Sequence, residues 1–276
     1  MLKTPSVFAR AGTTASAVQH ATMDIGLAGS SALVSASTRG LGYAIARGLA
    51  AEGARVAVSG RTQSAADKAA AEIARETGAE CAAFAADVGK DGDPQRLVDQ
   101  VVSRFGGLDV LVTNAGGPPA GGFSDIGDPQ WTATVDVTLM SVVRLVRSAL
   151  PYLRKSGRGR VINVVSSSVK EPIDGLILSN SVRLAVIGLA RTIAREVATD
   201  GITVNNVCPG RIMTQRIIDL YGDEASIEKA AQQIPMQRLG TPDEFAAMAV
   251  FLAGTTASYV TGQTIVIDGG LTRTTF

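Results

Sequence analysis

From Ser30 onward the chain alternates short apolar runs with longer stretches of helical period. The runs at 32–35, 55–59, 81–85, 110–113, 160–165, 203–207 and 264–267 are mostly continuous in apolar residues. That is the pattern of parallel strands covered on both faces. Between them, 41–51, 65–76, 94–105, 130–155, 184–198 and 243–253 carry apolar positions at helical spacing. Thr241-Pro242-Asp243-Glu244 is a helix start, with Pro at the first helical position and Glu three residues after the Thr. Asp93-Pro94 is a weaker start, and Gly53, Gly78 and Gly201 each close a helix before a strand. The alternation predicts an α/β fold: a single-domain, doubly wound, Rossmann-type parallel sheet flanked by helices. Residues 211–235 interrupt the pattern just after a strand end, where lids over ligand clefts lie.

Composition narrows the class. With 276 residues, 46% of them hydrophobic, the chain suits one domain with a sizeable core. A net charge of +1, with scattered Lys and Arg, gives no electrostatic reason to expect nucleic acid or a membrane surface as partner. No apolar run approaches the roughly 18–20 residues of a membrane span. Cys81 and Cys208, far apart in apolar segments, read as buried free thiols in a reducing, cytoplasmic setting. A single His, His20, and no Cys-x-x-Cys exclude a metal site of ordinary spacing. Residues 1–23 contain Lys3 and Arg10 but no acid. A targeting peptide, a disordered extension and an upstream start before Met23 all fit; lacking a compact apolar stretch, the segment is read as one of the latter two. The domain is expected over 24–276.

Candidate chemistry begins after the first strand. Ser35-Ala36-Ser37-Thr38-Arg39-Gly40-Leu41-Gly42 is a tight turn delivering backbone N–H groups and a helix N-terminus to a phosphate. Ser59-Gly60-Arg61-Thr62, ending the second strand, offers no carboxylate where a site for a free ribose hydroxyl places one. Arg61, with Arg39, would instead favour a 2′-phosphate. NADP(H) is therefore expected over NAD(H). Asp87 and Val88, ending the third strand, suit the adenine ring.

Taken together these residues resemble the short-chain dehydrogenase/reductase family over about 24–271. Thr113-Asn114-Ala115-Gly116 is similar to its Asn-Asn-Ala-Gly element, and Asn163-Val164-Val165-Ser166 to the strand carrying its catalytic Ser. Pro209-Gly210, Ile212 and Thr214 resemble the segment that holds the nicotinamide end, and Tyr259-Val260-Thr261-Gly262-Gln263 through Asp268-Gly269-Gly270 its C-terminal signature. The nearest resemblance is to 3-oxoacyl-[acyl-carrier-protein] reductase-like members with altered active sites. It implies a seven-stranded sheet, a nicotinamide cofactor, a small carbonyl or alcohol substrate, and a homo-oligomer, tetramer or dimer, with the long helices at 130–155 and 184–198 packing across an interface. The matching also implies departures. The first turn glycine is Ala36, whose methyl narrows the turn. The helix Asn is Thr138. The catalytic Ser is kept as Ser166, but the Tyr is matched by Ser179 and the Lys by Arg183.

Those two replacements change the chemistry. A Ser hydroxyl is a far weaker acid than a phenol of pKa about 10. A guanidinium stays protonated under ordinary conditions. General acid–base catalysis, worth about 10²- to 10⁴-fold, is not reproduced by the pair. Ser166 and Ser179 can still donate to a carbonyl oxygen, while Arg183 adds positive charge and a hold on the nicotinamide ribose. Water or Lys170, four residues beyond Ser166, would supply the proton. The leading expectation is an NADP(H)-dependent oxidoreductase. The alternatives are an NADP-binding protein without turnover (sensor, scaffold or inactive partner subunit) and an isomerase or lyase using the oxyanion site. The substrate pocket is expected from 117–122, 170–178 and the 211–235 lid.

Overall fold

A computed structural model describes residues 24–275. The expectations for residues 1–23 lie outside the described residues. Seven strands form one parallel sheet: β1 (Ser31–Val34), β2 (Arg55–Gly60), β3 (Cys81–Ala85), β4 (Val110–Thr113), β5 (Arg160–Val164), β6 (Thr203–Pro209) and β7 (Thr264–Ile267). Their order is β3-β2-β1-β4-β5-β6-β7. The strand order reverses between β1 and β4, and ligands bind at such a switch point, at the carboxyl ends of the strands.

The helices are α1 (Gly40–Ala51), α2 (Gln63–Thr77), α3 (Asp93–Phe105), α4 (Asp128–Thr134), α5 (Ser141–Ser156), α6 (Ile177–Glu196), α7 (Gln215–Tyr221), α8 (Glu224–Gln232) and α9 (Pro242–Ala253). Local chemistry sets their ends. Thr241 and Glu244 close the expected capping box on α9. Gly78, Gly106 and Gly157 end α2, α3 and α5 in the left-handed conformation. Alternate strand residues feed two cores. Val34, Val58 and Val112 pack with Ile45, Leu49, Ile73 and Phe245 on the α1/α2/α9 face. Leu33, Leu111 and Val161 pack with Leu97, Leu145 and Val186 on the α3/α5/α6 face.

Three differences from the expected elements bear on the site. The helix expected over 130–155 is split by a π-helical turn, Val135–Met140, which carries Thr138. The helix expected from 184 begins seven residues earlier, at Ile177. That helix also corrects the membrane expectation: by length and mean hydropathy of 1.3 it could cross a membrane. It lies instead along the sheet, with Leu178, Val182, Val186, Ala190 and Ala194 buried. Residues 211–235, read as an interruption of the strand–helix alternation, hold the two short helices α7 and α8, and Asp223 caps α8 by accepting from Ser226 N.

Candidate active site

The turn after β1 is pinned from all sides. Ser35 Oγ donates to Asn114 O (2.7 Å) and accepts from Asn114 N (2.8 Å), tying β1 to β4 across the switch point. Asn114 Nδ2 donates to Ala36 O (3.0 Å), Ala36 N to Ser59 Oγ (3.2 Å), and Ser37 Oγ to Val34 O (2.7 Å). A Cβ on Gly42 would stand 2.7 Å from both Ala36 O and Asn114 Nδ2, so only glycine lets α1 approach this closely. Ala36 holds φ 47. Its cost is therefore left-handed backbone rather than the narrowed turn expected from its methyl.

Thr38 fills the space a Cβ on Gly60 would take, which places Thr38-Arg39 beside Gly60-Arg61. Arg39 and Arg61 are both exposed. Among the described residues neither is in an ion pair. Asp87 is partly exposed, and its Oδ1 accepts from Gly89 N (3.2 Å); Val88 is buried. Leu41 packs on the α1 core. Gly116 has open space where a side chain would be, and Ala115 packs against the α3/α5/α6 core.

The reaction end lies where β5 and β6 finish. Ser166 opens a single 3-10 turn, Ser167–Val169, and its Oγ accepts from Ser168 N (3.1 Å), leaving its own O–H free to donate. Ser179, in the first turn of α6, is buried at 6% exposure, with its Oγ 3.1 Å from Ser168 Oγ. Ser168 is a site hydroxyl the sequence reading passed over; the Ser-Ser-Ser run at 166–168 was its only signal. Arg183, one turn further, donates from Nη1 to Val165 O (2.7 Å) and Val164 O (3.4 Å), and its Nε is buried without a partner. Burial, then the charge of Arg216, pushes its pKa down to about 10. At neutral pH it remains a cation. Beside it on β6, burial raises the Cys208 thiol to about 11, so that group stays protonated.

The remaining residues fall around this centre. Thr138 is buried in the π-helical turn, which packs on α6. Lys170 lines a small hollow with Val266, Asp268 and Thr272, on the side of the C-terminal tail. Pro209 ends β6; Gly210 N donates to Ile267 O (2.9 Å), and Asp268 leaves no room for a side chain on Gly210. Ile212 is buried against Gly240, and Thr214 comes to the edge of the phosphate turn at Gly40. The three expected pocket walls meet: Gly121 N donates to Gly175 O (2.7 Å), and Arg216 of α7 donates to Pro118 O (2.7 Å). Three of the four tyrosines stand away from the serines: Tyr43 packs on the α1/α2/α9 core, Tyr152 donates to Asp99, and Tyr259 is wholly exposed; Tyr221 ends the lid helix α7.

Beneath the site runs a buried polar row that the sequence reading also missed. Thr113 Oγ1 donates to Asn163 Oδ1 (2.7 Å), Asn163 Nδ2 to Asn206 Oδ1 (2.9 Å), and Asn206 Nδ2 to Thr264 Oγ1 (3.2 Å). These residues are register partners across β4, β5, β6 and β7.

A family model described as enoyl-(acyl carrier protein) reductase matches residues 35–272. The chain is 37% identical over 249 residues to dehydrogenase/reductase SDR family member 4 of Oryctolagus cuniculus, covering 88% of this chain and 94% of the relative. The chain belongs to the short-chain dehydrogenase/reductase family. It is also 35% identical over 241 residues to the 3-oxoacyl-[acyl-carrier-protein] reductase FabG of Staphylococcus epidermidis, covering 87% of this chain and 98% of that one. Among solved structures, the L-sorbose reductase of Gluconobacter frateurii, complexed with NADPH and L-sorbose, superposes with a TM-score of 0.87 at 31% identity, covering 91% of this chain and 100% of that chain. The family's members are nicotinamide-dependent oxidoreductases of alcohols and carbonyls, and this chain's residues fit such a cofactor. The pinned turn leaves its amides at a helix N-terminus, Gly116 leaves an open cradle, and Arg183 Nε is an unused buried donor.

Proposed function

We propose that this protein is an NADP(H)-dependent reductase of small carbonyl compounds whose active site polarises its substrate without a phenolic acid. The observation that carries the reading is the cluster at the end of β5: a half-buried guanidinium with a buried, unpartnered Nε, near three serine hydroxyls. NADP(H) preference is supported by Arg39, at the start of α1, and Arg61, just after β2, both exposed and in no ion pair among the described residues, with Thr38 packed on Gly60. Ala36 to Leu41 would cradle the diphosphate, Asp87 and Val88 the adenine, Asn114 to Gly116, Pro209, Gly210, Ile212 and Thr214 the rest of the dinucleotide, and Arg183 Nε the nicotinamide ribose.

When bound, NADPH supplies the hydride that reduces the carbonyl carbon. The chain's own part is to stabilise negative charge on the oxygen. Ser166 keeps its proton free for that oxygen. The Ser168–Ser179 pair shares one proton internally and has one left to donate. Arg183 contributes a positive charge in a poorly solvated setting, where it acts more strongly than in water. The alkoxide then takes a proton from water, or through it from Lys170, on the side of the C-terminal tail. The family's Tyr and Lys at 179 and 183 are replaced by groups that polarise rather than titrate near neutral pH. An oligomer formed through α5 and α6, with Leu184 half exposed, and a cytoplasmic setting for the free thiols Cys81 and Cys208 complete the reading.

Ser166→Ala tests it. A lost oxyanion donor costs about 10²- to 10³-fold in kcat. The expected result is that loss in carbonyl-dependent NADPH oxidation, with the NADPH-induced thermal shift retained. Unchanged turnover would remove Ser166 from the mechanism. The second reading, binding without turnover, is favoured by the burial of Ser179 against Ser168. A thermal shift with NADPH but no oxidation across a panel of ketones and aldehydes would establish it.

A further inference from the structure

The reaction end of the cleft carries more positive charge than a dinucleotide and a neutral ketone require. Arg216, on α7, lies on the wall after β4: its Nη2 donates to Pro118 O (2.7 Å), and its Nε would stand 2.6 Å from a Cβ on Gly117. Residue 117 is thus a glycine where the guanidinium rests. Arg183 reaches the end of β5 at Val165 O and Arg216 the chain just beyond β4, the strand paired with β5, so both border the same end of the sheet, and the charge of Arg216 lowers the Arg183 pKa. Arg216 is exposed and Arg183 half-buried; two like charges near one another repel, and an anion between them relieves the repulsion.

No carboxylate of the chain fills that role. Arg183 and Arg216 take part in no ion pair among the described residues. Of the acids on the surrounding walls, Asp125 accepts from Gly122 N, Glu171 from Arg273 N and Asp219 from Gln215 Nε2, and Asp174 is exposed and in no ion pair among the described residues. Nor does the cofactor's diphosphate point to this place. Its cradle is the turn at the N-terminus of α1, and the lid residue facing that turn is Thr214, near Gly40. Arg216 faces the opposite wall, Gly117-Pro118, and Arg183 Nη1 reaches the end of β5, where Ser166 begins its turn.

We propose that Arg183 and Arg216 together form a subsite for a carboxylate carried by the substrate, so that the protein acts on oxo acids in preference to neutral ketones. The lid helix α7 then closes on the substrate through Arg216, and the serines receive its carbonyl oxygen. This substrate class rests on the reductase reading above.

The test uses the full chain and matched pairs of 2-oxo and 3-oxo acids with their methyl esters. The wild type is expected to prefer the acids in kcat/KM by about thirtyfold, as for loss of a charged hydrogen bond, and Arg216→Gln to abolish most of that preference. A binding readout accompanies it. Oxamate and malonate added to the NADPH-loaded protein are expected to raise Tm saturably in the wild type and not in Arg216→Gln. Equal handling of acids and esters by the wild type, or no carboxylate-dependent shift, overturns the subsite. A loss of NADPH binding in Arg216→Gln with the acid preference intact also overturns it, assigning Arg216 to the cofactor. If the carboxylate shift is present but no compound is turned over, the subsite stands and the reductase reading fails.

Discussion

On the nucleotide side of the cleft, each buried side-chain polar atom of the phosphate turn has a partner within the chain. Ser35, Ser37, Ser59 and Asn114 bond to one another's backbone and to Ala36, so the turn is held whether or not a ligand is present. On the reaction side, a buried guanidinium nitrogen has none. Among the described residues only Arg183 Nε and Thr203 Oγ1 are buried side-chain polar atoms lacking a partner, and only the first faces the site. The difference separates scaffold from function. A closed network fixes a backbone shape for a ligand that reads backbone. An orphaned donor on a charged group, costly unless something pairs with it, marks where a ligand must complete the structure.

The reaction side also has a closed network, one layer below Arg183, and breaking it gives the largest effect expected here. Asn163 accepts from Thr113 and donates to Asn206, and all three residues are buried. Asn163→Ala strands the Thr113 hydroxyl and the Asn206 carbonyl and opens a cavity. At about 1–3 kcal/mol for each stranded group, the loss is about 3 kcal/mol, or roughly 10 °C in Tm. Thr113→Val removes one donor only and should cost about a third as much. A loss below about 1 kcal/mol for Asn163→Ala, measured by thermal melting, would show that water replaces the row and that this layer is not rigid support.

The next effect sharpens the nucleotide side. Arg39→Ala and Arg61→Ala each remove one exposed guanidinium, from the start of α1 and from just after β2. Each is expected to weaken NADPH about tenfold, and the pair about a hundredfold, with NADH affinity changing less than threefold. Fluorescence titration with both dinucleotides measures this. Equal weakening of the two would mean that these residues hold the diphosphate or nothing, and selectivity for the 2′-phosphate would have to come from elsewhere.

What the sequence made legible follows the same division. All seven strands were placed within two residues at each end, because a strand buried on both faces is written as an apolar run. The phosphate turn was legible because glycine, strand and helix stand in fixed order. The first turns of α6 were not. Ile177-Leu178-Ser179-Asn180-Ser181 has weak helix propensity, and Leu176 offers no side-chain cap. The fold supplies the order instead. The Asn180 side chain pairs with both N and O of Ile173, and Leu178 is fully buried. Asn163 and Asn206 were visible as polar residues in apolar strands, but their pairing depends on register between strands 43 positions apart. The approach of Arg216 to Pro118 spans 98 positions and obeys no local pattern. Contacts of that kind define the substrate end, so the sequence shows the cofactor side more fully than the reaction side.

The smallest effect concerns the one strained position on the nucleotide side. Ala36 sits at φ 47, where a side chain pays about 1 kcal/mol that glycine avoids. Ala36→Gly relieves that strain but loosens the unfolded chain by about 0.4–1 kcal/mol, leaving a net gain of only a few tenths and a rise in Tm of about 1 °C. Ala36→Val separates the two terms. A β-branched residue keeps the unfolded chain stiff and makes the left-handed conformation worse, so it should lower Tm by several degrees and weaken NADPH, whose cradle the turn forms. If Ala36→Gly instead raised Tm by 5 °C or more, the turn would be storing far more strain than one residue's φ accounts for. The nucleotide side would then no longer be the relaxed half of the cleft.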